Sequence, residues 1–217
     1  KKRNLGLTER QKLVLQFAVV AAYLASVAFA GGATHTTIPF VGQVDLGWLY
    51  YPLAAVVIVG VVNAVNFTGG IDGLNTTVSF FAFLSLALCA GLLSMTGLSA
   101  MGLASAAACI GFLIWNWHPA KVFMGDTGSL FLGGMVCALA FGMDLPLLLL
   151  PVGFVYLCEI LSVVLQVTYF KATHGKRLFK MSPIHHHFEM CGWSEVKICL
   201  VFGLVALLGG AVAILCV

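Results

Sequence analysis

Seven apolar stretches, each close to the thickness of a bilayer, decide what this chain can fold into. They run from Leu13 to Ala30, Trp48 to Val65, Leu74 to Ser94, Ala100 to Trp117, Ser129 to Met143, Leu145 to Gln166 and Val196 to Val217. A helix needs about 20 apolar residues to cross the hydrocarbon core. With 61% hydrophobic and 9% charged residues, the chain is far more apolar than an average soluble domain. Backbone polar groups in lipid must be satisfied within the segment, which leaves helices for runs of this length. The expected fold is all-α: a polytopic transmembrane bundle of about seven spanning helices, one integral membrane domain over residues 1–217 in a lipid bilayer. The tightest connection is the fifth to the sixth, where only Asp144 and Leu145 precede Pro146.

Positive charge resists translocation and so sets orientation. Threading seven crossings puts Lys1, Lys2, Arg3, Arg10, Lys12, Lys121, Lys171, Lys176, Arg177, Lys180 and Lys197 on one side. These are all 11 basic residues of the chain, so the N-terminus reads as cytoplasmic and the C-terminus as external. The first apolar run ends in Gly31-Gly32 without a firm cleavage pattern and reads as a spanning helix, not a signal peptide. A formal charge of +3 is too small for a nucleic-acid footprint, and no nucleic-acid partner is expected. Seven cysteines without a C-x-x-C pair support neither a disulfide framework nor a zinc cage. The outer loop Gly31 to Gly47 alternates enough to suggest a short hairpin, and the small residues of the fourth run, among them Gly102, Ala104 and Ala106 to Ala108, suit close helix packing.

Three polar, glycine-bearing segments fall on the cytoplasmic side. N-A-V-N-F-T-G-G-I-D-G-L, Asn63 to Leu74, sets Asn63 and Asn66 at a helix end before a turn carrying Asp72. Such a turn can present N–H groups and a carboxylate to a phosphate or metal, or be only a polar connection. W-N-W-H-P-A-K-V-F-M-G-D-T-G-S, Trp115 to Ser129, carries Asn116, Lys121, Phe123 and Asp126. Asp126 is the metal candidate, since magnesium takes oxygen ligands and is commonly held by one or two carboxylates plus substrate phosphates. Capping of the fifth helix is the alternative reading. The third segment, Val167 to Glu195, holds S-P-I-H-H-H-F-E. Its histidines His185, His186 and His187 cannot all face one way; with Lys176, Arg177 and Lys180 they could bind a diphosphate, a transition metal or lipid headgroups. In the sixth helix Glu159, Ser162 and Gln166 share one face. An ionisable residue at that depth is a functional candidate, with an interhelical hydrogen bond as its plainer role.

N-x-x-N-F-T-G-G-I-D-G-L, F-M-G-D-T-G-S and S-P-I-H-H-H-F-E, in this order and spacing, resemble the phospho-N-acetylmuramoyl-pentapeptide transferases, a family of the polyprenyl-phosphate N-acetylhexosamine-1-phosphate transferase superfamily. The resemblance runs over essentially the whole chain. It implies a magnesium-dependent transfer from UDP-MurNAc-pentapeptide to undecaprenyl phosphate, giving lipid I and UMP, in the cytoplasmic membrane of a bacterium with the site facing the cytoplasm. By the same resemblance Asp126 would bind magnesium, Asp72, Asp126 and His185 to His187 would be catalytic, and Asn63, Asn66, Asn116, Phe123, Gln166 and Lys12 would bind substrate, Phe123 by stacking near uracil. The resemblance also admits a homodimer. It places further helices and an adjacent aspartate pair ahead of a basic stretch like Lys1 to Lys12, so the chain reads as the C-terminal part of a longer protein. Gly69 stands where the family usually has aspartate, leaving Asp72 as the carboxylate of that turn.

Two rivals remain on sequence grounds. A transferase for another UDP-HexNAc would share the Asp72 and Asp126 segments but differ at the histidines. A transporter could use Glu159 as a coupling residue, but would call for an internal repeat and helices broken near mid-membrane.

Overall fold

The computed structural model describes residues 7–29, 31–32, 34–38 and 41–217. Lys1, Lys2, Arg3, the expected helix end Ala30 and six other loop or terminal residues lie outside them. Seven helices among the described residues are long and apolar enough to cross a membrane: α1 Glu9–Phe29, α2 Tyr50–Phe67, α3 Leu74–Leu92, α4 Thr96–Asn116, α5 Gly125–Gly142, α7 Phe154–Ala172 and α9 Glu195–Leu215. Two short helices, α6 Leu149–Val152 and α8 Ile184–Glu189, complete the set. The chain is a multi-pass membrane protein with an all-α core, as its apolar runs require.

Helix α3 is the axis of the bundle. Of its most apolar window 72% is buried, and it packs against both α4 and α9, while α2 packs against α5 and α7. Close approach depends on small residues at the crossings. A Cβ at Gly102 would lie 2.8 Å from Ala87 Cβ, and one at Gly133 would lie 2.7 Å from the backbone of Val62. On α4 only Gly102, Ala106, Cys109 and Asn116 are buried; Ala104, Ala107 and Ala108 face outward. The small-residue run therefore serves as one stripe and not as an all-round packing surface.

The sixth span departs from expectation. It begins at Phe154 and ends at Ala172, not Leu145 to Gln166, because Pro146 opens a 3-10 turn and Gly153 interrupts the helix at φ −93°, ψ 15°. The apolar run was long enough, but hydropathy does not register a break in backbone direction. The fifth helix starts at Gly125, four residues before the expected Ser129, drawing Asp126 into its first turn.

Outside the membrane, β1 His35–Ile38 and β2 Gly42–Asp45 form the expected hairpin, antiparallel with His35 opposite Asp45. It docks on the α5–α6 connection through Thr37 N–H to Asp144 O at 3.1 Å and His35 Nε2 to Asp144 Oδ2 at 2.9 Å. The Thr34 hydroxyl and Gly47 N–H donate to Asp45 and hold its carboxyl below the ordinary value. Burial pushes that of Asp144 up, with His35 opposing.

Candidate active site

The turn between α2 and α3, Asn66 to Asp72, touches three polar clusters contributed by otherwise distant segments. At its start, Asn66 Nδ2 donates to Asp126 Oδ1 at 3.4 Å, and Lys12 Nζ forms an ion pair with Asp126 Oδ2. Lys12 comes from the first turn of α1 and Asp126 from the first turn of α5, where the helix N-terminus also favours negative charge. The Asp126 side chain is 51% exposed, so its oxygens remain open to a ligand. Asn63, one turn earlier, is committed elsewhere: its Nδ2 donates to Gln16 Oε1 at 2.7 Å and Val59 O at 2.8 Å.

In the middle of the turn, Gly70 meets the histidines. A Cβ here would lie 2.1 Å from His185 Nε2 and 3.0 Å from His186 Nε2, so only a glycine fits. Both rings are aimed by carboxylates on their other nitrogen. His185 Nδ1 lies 2.9 Å from Glu159 Oε2 with both side chains fully buried, and His186 Nδ1 lies 2.7 Å from Glu189 Oε2. Among the described residues His185 Nε2 and Glu159 Oε1 are buried without a hydrogen-bond partner, an arrangement that native interiors seldom keep outside functional sites. His187 turns away: its Nδ1 accepts from Lys180 N–H at 3.1 Å. The three histidines thus point in different directions, as a single helical turn dictates, and two of them face Gly70. The basic loop is not drawn in with them, since Lys180 Nζ bonds Met190 O and Arg177 bonds Lys180 O.

At the end of the turn, Asp72 Oδ2 accepts from Ala120 N–H at 2.9 Å and lies 3.2 Å from His118 Nδ1. Glu195 Oε2, from the first turn of α9, is 3.6 Å from the same nitrogen. One ligand atom from each of Asp72, His118 and Glu195 lies within 4.8 Å of the others, a spacing that could hold a metal ion. Neither His118 nor Glu195 was marked by the sequence. His118 reads as part of an H-P turn and Glu195 as an N-terminal acid of a helix, and no local pattern links positions so far apart.

Two further expected site residues hydrogen-bond within the protein. Asn116 is buried, accepting from the Thr76 hydroxyl at 2.7 Å and donating to Val122 O at 3.0 Å. Gln166 Oε1 accepts from Leu178 and Phe179 N–H at 3.1 and 2.9 Å, and its Nε2 donates to Phe179 O at 3.3 Å. Its amide staples the following loop to α7. Phe123, by contrast, is 74% exposed in the loop that leads to Asp126, a free ring surface on the face of the site.

A family model described as Glycosyl transferase family 4 matches residues 4–144, the stretch that carries Lys12, Asp72 and Asp126. The chain belongs to glycosyl transferase family 4. Within it, a protein from Halalkalibacterium halodurans named phospho-N-acetylmuramoyl-pentapeptide-transferase is 46% identical over 214 residues, covering 98% of this chain and 66% of the relative. A protein of the same name from Bacillus pumilus is 47% identical over 208 residues, covering 95% of this chain and 64% of the relative. A third, from Bacillus thuringiensis, is 46% identical over 211 residues. The chain spans slightly less than two thirds of the length of these family 4 relatives. The first of these alignments is long enough to include the histidine helix, so the resemblance read from the motifs is borne out beyond the segment that the family model matches.

Proposed function

We propose that the chain carries the cytoplasmic active site of a phospho-N-acetylmuramoyl-pentapeptide transferase in a bacterial inner membrane, its residues forming one integral transferase domain. In the proposed reaction a phosphate oxygen of undecaprenyl phosphate attacks the sugar-linked phosphorus of UDP-MurNAc-pentapeptide. The bond from that phosphorus to the bridging oxygen breaks, UMP leaves with the electron pair, and lipid I is formed. The observation that carries this reading is the convergence on one glycine turn of the Lys12–Asp126–Asn66 cluster and the paired Nε2 atoms of His185 and His186. Two anionic reactants brought together need fixed positive charge and N–H donors, and this turn has both beside it.

Magnesium fits at Asp126: the carboxylate is half exposed, lies beside the amide of Asn66, and magnesium is content with one carboxylate, waters and substrate phosphates. When bound there it would neutralise charge on the diphosphate. Lys12 already pairs with Asp126 and would turn its ammonium to a phosphate oxygen. His186, partly exposed with its Nδ1 held by Glu189, turns its Nε2 to the surface of the turn where a phosphate oxygen would sit, and buried His185, held by Glu159, backs the turn at Gly70. An apolar groove of about 560 Å³ between α1, α2 and α5, lined by Leu15, Val19, Ile58 and Phe131, has Lys12 at one end. That pairing of a cation with an apolar trough suits a lipid phosphate. The exposed ring of Phe123 offers a stacking face for uracil. The basic residues among the described ones fall at the helix ends and loops on the side of these clusters, which supports a cytoplasmic site.

The test is UMP release by the intact protein in detergent, with undecaprenyl phosphate present or omitted and magnesium present or chelated. Release that needs both supports the reading. Turnover of UDP-GlcNAc in place of the pentapeptide donor would move the protein to another branch of the superfamily.

A further inference from the structure

Asp72 is held more completely than a turn residue needs to be. Its N–H donates to Glu195 Oε2 at 3.0 Å, and its carbonyl oxygen takes the Cys199 thiol at 3.0 Å. Its Oδ2 takes Ala120 N–H and faces His118 Nδ1. These partners come from the α4–α5 loop and from two successive turns of α9. The next residue, Gly73, has φ +74° with the Trp117 ring laid against it, 3.3 Å from where a Cβ would sit. A left-handed conformation against an aromatic ring accepts only glycine without strain. Of the polar atoms of Asp72, Oδ1 alone takes no hydrogen bond among the described residues, and the side chain is 17% exposed. The protein has fixed every handle of this aspartate but one, and has left that one at the surface.

Ala120 N–H and Asp72 N–H already serve the two carboxylate oxygens that face His118, so the imidazole closes the cluster as the donor between them. Glu195 is placed to do two things at once: it orders the backbone of the turn through Asp72 N–H and keeps the His118 ring directed at Asp72. We infer that His118 and Glu195 are positioning residues for the donor substrate, setting the Asp72 turn so that Oδ1 addresses the nucleotide half of the UDP-sugar. This rests on the donor reading proposed above and adds to it two residues that act through Asp72, without touching the reacting phosphates.

A positioning role of this kind predicts a split that a purely structural tie does not. In the intact protein, steady-state UMP release is measured with the nucleotide donor varied at saturating undecaprenyl phosphate, and then the reverse. His118→Ala should raise the donor KM about tenfold, the scale of a lost hydrogen bond to a charged group, with kcat within about twofold and the acceptor KM unmoved. His118→Asn, whose amide nitrogen can replace Nδ1, should restore the donor KM. Calorimetric binding of UMP should weaken in the alanine variant and recover in the asparagine variant. Should His118→Ala not survive purification, Glu195→Gln must show the same donor-only shift. Equal loss of kcat with an unmoved donor KM, or an asparagine variant no better than alanine, overturns the inference. A wild type that turns over while His118→Ala keeps the wild-type donor KM defeats this inference alone; a wild type that neither releases nor binds UMP defeats the donor reading and this inference together.

Discussion

Glu159 and His185 form an ion-pair-spaced contact, Oε2 to Nδ1 at 2.9 Å, in which neither side chain has any exposed surface. Glu159 lies in the second turn of a membrane-spanning helix and His185 on a short helix outside the spans, so the pair carries alignment from the bundle to the turn between α2 and α3. Burying two polar groups in this way is justified energetically only when each satisfies the other. Glu159→Gln keeps shape and hydrogen bonding but removes the charge behind the ring; turnover should fall at least about tenfold with the fold retained. Glu159→Ala should also lower stability by about 1–3 kcal/mol, the cost of stranding a buried polar partner. Thermal unfolding in detergent alongside UMP release separates the two effects, and equal activity for Gln and wild type would reduce Glu159 to a packing residue.

Gly70 and Gly69 are neighbours with opposite expectations. A methyl group at Gly70 would collide with His185 Nε2, whose ring has no freedom to retreat, whereas one at Gly69 meets only Asn75 Nδ2 at 3.8 Å. Gly70→Ala should therefore reduce activity by about a hundredfold or more by displacing the histidines. Gly69→Ala should be tolerated, and Gly69→Asp should fit without loss of folding. Comparable damage at both positions would contradict the placement of α8.

Asp126→Asn should lower UMP release by about a hundredfold or more while leaving thermal unfolding unchanged. An ion pair this exposed adds little to folding, so the structural and functional consequences separate cleanly. Raising magnesium should not rescue the variant. Wild-type turnover by Asp126→Asn would remove this aspartate from the chemistry.

Gln166→Ala should free the loop after α7 by cutting three hydrogen bonds, and limited proteolysis between Thr173 and Met181 should accelerate. Gln166→Glu keeps acceptors for Leu178 and Phe179 N–H but turns an oxygen towards Phe179 O, and its protection should be intermediate. A donor KM that rises while the loop stays protected would instead return Gln166 to the substrate pocket.

Much of this was legible in the residues. Hydropathy gave seven spans and the common end at which the polar motifs meet, because the bilayer imposes the same constraint on every residue of a span. Lys12, Asn66, Asp126 and the first two histidines do gather along one turn. What escaped is what depends on three-dimensional meeting. His118 and Glu195 join Asp72 from positions far apart in the chain, and no periodicity encodes that. His187, Asn116, Asn63 and Gln166 were expected in the site from the family resemblance, and the structure adds that each also hydrogen-bonds within the protein. The late start of the sixth span arose from backbone breaks at Pro146 and Gly153 within an unbroken apolar run.

The histidine helix is mounted on α7 at two points, through Glu159 beneath His185 and through the Gln166 amide that holds Leu178 and Phe179, which in turn places Lys180 N–H on His187. The alignment of the chemistry is thus inherited from a rod set in the bilayer. Residues 173 to 176 lie between the staple and the end of that rod, and their hydrogen bonds run to the last turns of α7 and to one another, so changes of length there can accumulate over evolutionary time while the imidazoles keep their aim.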